Sequence, residues 1–150
     1  MRILLVAASI VSFSGVISAQ NPKPAPNPLA SVKSLRCSFP TYAATRWQTD
    51  ASPATVSGSE DFSFSIEQID IRRSRARIVA GAAFAAATAM LTETSLNVIE
   101  PTPLGNLMLT SVFIGGREGT KYLAIHSRHV GDLDAAPTPS QHFGSCTVTN

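Results

Sequence analysis

Asp61-Phe62-Ser63-Phe64-Ser65-Ile66-Glu67 is the stretch that decides the fold class. Phe62, Phe64 and Ile66 alternate with Ser63, Ser65 and Glu67, a period of two residues. Successive side chains of a strand point to opposite faces, so this segment buries one face and wets the other. Outward from it lie further short runs rich in branched and aromatic residues: Ala76 to Val79, Leu96 to Ile99, Asn106 to Ile114 and Tyr122 to Arg128. Turn-formers separate them. Gly115-Gly116-Arg117-Glu118-Gly119 is the strongest, Pro101-Thr102-Pro103-Leu104-Gly105 is another, and Gly131 to Ser140, with Pro137 and Pro139, reads as a loop.

The gaps between these runs are short. Parallel strands need crossovers of a dozen or more residues, usually helical, and no amphipathic helix of that length falls between them. The sequence therefore predicts an all-β domain, an antiparallel meander of about eight or nine short strands forming a small barrel or a sandwich. The alanine-rich stretch 80–91 stands apart. Alanine is the best helix former, yet neither a cap nor a polar face accompanies it. The expectation is a turn at Gly81-Ala82-Ala83 followed by a strand from about Phe84 to Leu91.

The chain has 150 residues. Arg2 opens a positive start, Ile3 to Ile17 is largely apolar, and Ser18-Ala19 offers small residues for cleavage. That order is the pattern of a secretory signal over 1–19. The apolar stretch is interrupted by serines and is shorter than the ~20 residues of a membrane span. Removal of the signal leaves roughly 130 residues, one domain by length. Prolines at 22, 24, 26 and 28 hold the next segment extended, so 20–32 reads as a tether and 33–150 as a single β-domain. An exported location, periplasmic or secreted, is the expectation. No later segment is long and apolar enough for a spanning helix.

Two cysteines, Cys37 and Cys146, lie near the ends of the folded part. An even count in an exported chain favours a disulfide, here closing a loop of about 110 residues and stapling the first strand to the last. Without a Cys-x-x-Cys spacing, a redox or metal-binding pair is the weaker reading. Charged residues make up 15% of the chain, and its formal charge of +2 falls by one if Arg2 leaves with the signal. Such a balance speaks against a nucleic-acid partner.

Several constellations could carry chemistry. His126-Ser127-Arg128-His129 places His126 and Arg128 on one face of a strand and His129 on the other. Since Leu123 and Ile125 share the face of His129, that face is expected to be the core side. His126 and Arg128 are then expected to point outward, as a pair that can contact an anion, with the guanidinium lowering the imidazole pKa. The plain alternative is a strand end with locally hydrogen-bonded polar residues. His142 raises a three-histidine metal site, but the spacing matches no recognised zinc pattern, so no metal and no cofactor are assigned. Arg72, Arg73, Arg75 and Arg77 read as a solvated hairpin tip, or less readily as a patch for an acidic partner. Trp47, the lone tryptophan, is a candidate for lining a binding surface. The carboxylate pairs Glu60/Asp61 and Asp132/Asp134 read as turn chemistry. No nucleophile elbow, P-loop, dinucleotide fingerprint or His-Glu-x-x-His occurs.

Leu35-Arg36-Cys37, Trp47, Asp61 to Phe64 with Ile69-Asp70, Ala76 to Ile78, Ile99-Glu100 with Gly105-Asn106, Ala124 to His129, and Ser140-Gln141 with Gly144-Ser145-Cys146 occur in that order. The ordered set resembles a group of small exported bacterial β-proteins with one terminal disulfide, a group to which no function is attached. The resemblance implies export, an all-β domain and the Cys37–Cys146 bridge, and it carries no activity or ligand. The arginine-rich turn after Asp70 and the alanines after Gly81 depart from that group's pattern.

Function is accordingly an expectation of class. The first reading is a non-enzymatic exported β-domain that binds a small ligand or an envelope partner protein. Its alternatives are a hydrolase with His126 or His129 as base, and an inhibitor of an envelope hydrolase.

Overall fold

The computed structural model describes residues 26–45, 54–103, 105–131 and 137–149. Eight strands run in chain order: β1 Leu35–Thr45, β2 Ala54–Asp70, β3 Arg75–Ala80, β4 Ala83–Leu91, β5 Ser95–Pro101, β6 Leu107–Phe113, β7 Lys121–Val130 and β8 Thr138–Val148. Each pairs antiparallel with the next, and β8 returns to β1, so the meander closes into a barrel. Of the two architectures expected, the barrel is the one formed. Closure gives every one of these strands a partner on both sides.

The alternation of 62–66 sorts its side chains as expected. Phe64 and Ile66 are buried and Phe62 half-buried, whereas Ser63 is exposed. The same rhythm sends Leu35, Cys37 and Phe39 of β1, Leu96 and Val98 of β5, and Val112 of β6 into the core. Burying a side chain of this size is worth about 1.5–3 kcal/mol. The alanine-rich segment is a strand, and its turn is Gly81-Ala82, with Gly81 at φ 60°. Tertiary pairing to β3 and β5 overrides the helical preference of alanine. Strand β8 starts at Thr138, so Thr138–Ser140 belongs to the sheet rather than to the preceding loop.

Two irregularities shape β1. Its register slips against both β2 and β8 around Pro40, where a residue without an N–H is tolerated because the ladder is already broken. Beside this bulge, a Cβ on Gly144 would collide with the carbonyl oxygen of Ser38. Only glycine lets β8 close onto β1 there.

The two ends of the barrel differ. At one, Cys37 and Cys146 sit directly opposite each other and form the predicted disulfide, spanning 109 residues. A short 3₁₀ helix, Pro28–Ser31, caps that end. Leu29 there is fully buried, and Asn27 donates its side-chain amide to the carbonyl of Thr92 in the β4–β5 turn. The packed part of the chain thus begins before Val32. Pro28, the last of the prolines that read as a tether, opens the 3₁₀ turn in which Leu29 is buried in the core. At the other end the inward-facing residues change character.

Candidate functional site

Strand β7 carries the decisive difference from the sequence reading. Tyr122, Ala124 and His126 are buried, while Leu123 is 53% exposed and His129 is also exposed. His126 and Arg128 therefore face inward and His129 outward, the reverse of the expected assignment. The reason is volume. Phe39, Phe62 and Phe64 from β1 and β2 already fill the barrel at this level, their ring centroids 5.5–5.8 Å apart. That leaves room for an alanine and an imidazole, not for leucine and isoleucine. Side-chain hydrophobicity alone names the wrong face of β7.

Register assembles the site. His126 lies opposite Thr110 on β6 and His142 on β8, and His142 lies opposite Tyr42 on β1. One step nearer the rim, Arg128 lies opposite Met108 and Ser140. The inner wall of this end is thus a row of Tyr42, His142, His126 and Thr110, with Ser140 and Arg128 above it. Aromatic rings close around the imidazoles: Phe62 is 5.3 Å from His126 and 4.8 Å from His142, and Tyr42 stacks on His142 at 5.5 Å.

The imidazoles are 5.9 Å apart between centroids, and both are buried. His126 Nδ1 is 2.9 Å from Thr110 Oγ1, and His142 Nε2 is 3.4 Å from Ser140 Oγ. The remaining nitrogens, His126 Nε2 and His142 Nδ1, are buried and have no hydrogen-bond partner among the described residues. Burial pushes the His126 pKa down to about 4, helped by His142 and by the Arg128 cation. His142 is lowered for the same leading reason, with Arg128 adding to it. Both rings are therefore neutral at pH 7. The expected lowering by the guanidinium is present, but desolvation dominates it. Arg128 itself is half-buried, and no hydrogen bond or ion pair to it occurs among the described residues.

Solvent reaches this end. Tyr42, Ala44, Phe62, Met108, Arg128 and Ser140 all face inward yet are only half-buried, whereas Leu35, Cys37, Leu96 and Cys146 near the disulfide are sealed. Across the barrel from β7 and β8, the inward residues are Ala80 of β3 and Ala83 and Ala85 of β4. With Ile78, Phe84 and Glu100 they line a cavity of about 130 Å³. Short alanine side chains leave that space, and this is the structural use of the segment that looked anomalous in sequence. Glu100 carries a carboxyl whose pKa is raised by desolvation.

The arginine cluster is a separate feature. It surrounds the β2–β3 connection, in a groove of about 480 Å³ on the outside of the barrel. Arg73 pairs with Asp70 at 3.1 Å and Arg77 with Glu67 at 2.9 Å, and Arg77 also lies over the exposed Phe84 ring. Two of its four arginines are thus ion-paired locally. Trp47, Asp132 and Asp134 lie outside the described residues. No group of three metal-ligating side chains occurs among the described residues.

The fold and site define a closed eight-stranded antiparallel barrel, sealed and cross-linked at one end, with a histidine–arginine wall inside the other. No family model, curated protein or solved structure matches the chain.

Proposed function

We propose that the protein is a non-enzymatic, exported barrel that takes a small ligand into its unsealed end. One observation carries the reading. Two buried imidazole nitrogens lack hydrogen-bond partners among the described residues, beneath a half-buried rim that carries Arg128, whose guanidinium makes no hydrogen bond or ion pair among those residues. Buried polar atoms without partners cost about 1–3 kcal/mol each, and a ligand that met them would recover that energy. The signal-like residues 1–19 and the terminal disulfide support export.

The hydrolase alternative has less support. Thr110 and His126 are in hydrogen-bond contact, as a nucleophile and base would be. Thr110 is fully buried, however, and an imidazole with a pKa near 4 is a weak base at neutral pH. His129 faces outward, without a hydrogen-bond partner among the described residues. The inhibitor reading rests on the loop 131–145, of which residues 132–136 lie outside the described residues.

The test is ligand-detected NMR with a panel of small aromatic and aliphatic compounds, on the wild-type chain and on Ala85→Leu. That substitution fills the alanine side of the cavity. Saturable binding that Ala85→Leu weakens tenfold or more, with the melting temperature retained, is the expected result. Binding that is indifferent to Ala85→Leu, or no binding at all, overturns the reading.

A further inference from the structure

We propose that the groove on the outside of the barrel, along β3, is a second binding site, and that it takes an extended acidic segment of another protein. One carboxylate of that segment meets Arg75, and an apolar side chain a few positions along lies on Phe84 and Ala86. This site is independent of the barrel interior.

Local structure makes the groove. The register of β2 against β3 slips between Glu67 and Asp70, where Gln68 takes φ 52°. Such a bulge bends its strand, and the short 3₁₀ turn Ile71–Arg73 that follows lies against β4. Arg75 and Arg77 occupy alternate positions of β3 and share its outward face. In the register, Arg77 stands between Glu67 on β2 and Ala86 on β4. The methyl group of Ala86 leaves the space beside that guanidinium open. Asp70, Arg73, Arg75, Arg77, Phe84 and Ala86 thus line one groove of about 480 Å³, so a single occupant can meet them together.

Charge complementarity chooses the occupant. Residues 67–77 hold four arginines against two carboxylates. Arg73 is answered by Asp70 and Arg77 by Glu67. Arg75 is exposed and makes no hydrogen bond or ion pair among the described residues, which leaves a guanidinium fork for a carboxylate from outside. Phe84 supplies the apolar part. It is 70% exposed, with the Arg77 guanidinium 5.3 Å from its ring centroid. An extended chain fits the spacing, because alternate residues of a strand repeat at about 7 Å, the interval between Arg75 and Arg77 along β3. The closed barrel offers no strand edge, so side chains rather than backbone pairing must hold the segment. A lipid surface or a nucleic acid needs a run of free cations. Here two of the four arginines already hold carboxylates.

Nitrogen-15 NMR of the full folded chain, titrated with two acetylated heptapeptides, tests this. One is Glu-Ser-Asp-Ser-Leu-Ser-Phe, and the other carries Gln and Asn in place of its Glu and Asp. The acidic peptide is expected to shift the backbone amides of residues 73–77 and 84–87 saturably, and to bind at least tenfold more tightly than its neutral counterpart. Added salt should weaken it, as it does any exposed ion pair. Arg75→Gln and Phe84→Ser are each expected to weaken the acidic peptide threefold or more with the melting temperature retained, since both side chains are exposed. Equal binding of the two peptides, indifference to both substitutions, or no saturable shift at these amides with millimolar acidic peptide overturns the proposal. Tighter binding of phosphatidylglycerol vesicles or of an oligothymidylate at the same amides also overturns it, by assigning the groove to a lipid surface or to a nucleic acid.

Discussion

The two ends of the barrel are made from the same eight strands and meet opposite demands. Around the disulfide, Leu29, Leu35, Cys37, Ile66, Leu96 and Cys146 are sealed from solvent. At the far end the equivalent inward positions hold Thr110, His126, His142, Ser140 and Arg128, with two polar atoms unmatched. The contrast shows where packing determines stability and where something other than packing determines the residues. A region selected only for stability would have replaced His126 with an apolar side chain, since a buried neutral imidazole with an open nitrogen lowers stability. The sealed end can bear that cost, because it carries the cross-link and most of the fully buried side chains.

The largest effects should come from the disulfide of the sealed end and from the phenylalanine core that lies between it and the histidines. Phe64→Ala is expected to lower unfolding free energy by about 3–5 kcal/mol, the range for a buried aromatic. Cys37→Ser is expected to cost about 2–5 kcal/mol, for loss of a native bridge. Denaturant melts of both variants read these values. Losses below about 1 kcal/mol in both would mean that the contrast between the ends is absent in solution.

The histidine end should reveal itself through pH. His126 has an unfolded pKa of 6.5 and a folded value of about 4. Its neutral form is favoured in the folded state, so its contribution is complete above pH 6.5 and is lost as pH falls toward 4. A shift of this size corresponds to about 3 kcal/mol. His142 shifts in the same direction and adds to the slope. Arg128 and His142 are the charged or titratable groups acting on His126. In His126→Gln the acid limb of a stability–pH curve should flatten. An unchanged limb would place the acid sensitivity elsewhere.

Strand β7 sharpens the comparison residue by residue. Ala124→Leu should overpack the barrel against the three phenylalanines and cost about 1–3 kcal/mol. Its neighbour Leu123→Ser should change stability by less than about 0.5 kcal/mol, because Leu123 is largely in water. Thermal melts that reverse this order would restore the face assignment that the sequence suggested. Arg128→Met, at the half-buried rim, should have the smallest effect of all on stability.

Those two neighbours also show what could be read from sequence. The period of two at 61–67, the short gaps and the terminal cysteines were enough for an all-β meander and its staple, because each is a local or pairwise property. The faces of β7 were not legible. Which side of Leu123-Ala124-Ile125-His126 points inward depends on how much space β1 and β2 leave, and that space is set far back in the chain by Phe62 and Phe64. His142 had a usable signal. Counting by twos from the bridged Cys146 puts Gly144, His142 and Ser140 on the cysteine's face. No such anchor exists on β7. The alanines of 80–91 were visible as an anomaly but not as a cavity wall, since a void is a property of both sides of the barrel. Leu29 was hidden within a proline-rich run whose composition speaks of extension rather than of a plug.

The inward, desolvated placement of His126 is the claim on which the rest stands. Titration of its imidazole by NMR in the intact, disulfide-bonded chain measures that placement directly. The result expected is a neutral ring down to about pH 4. A midpoint at or above about 6.5, the value of an imidazole in water, would return His126 to the outside of the barrel and remove the site with it.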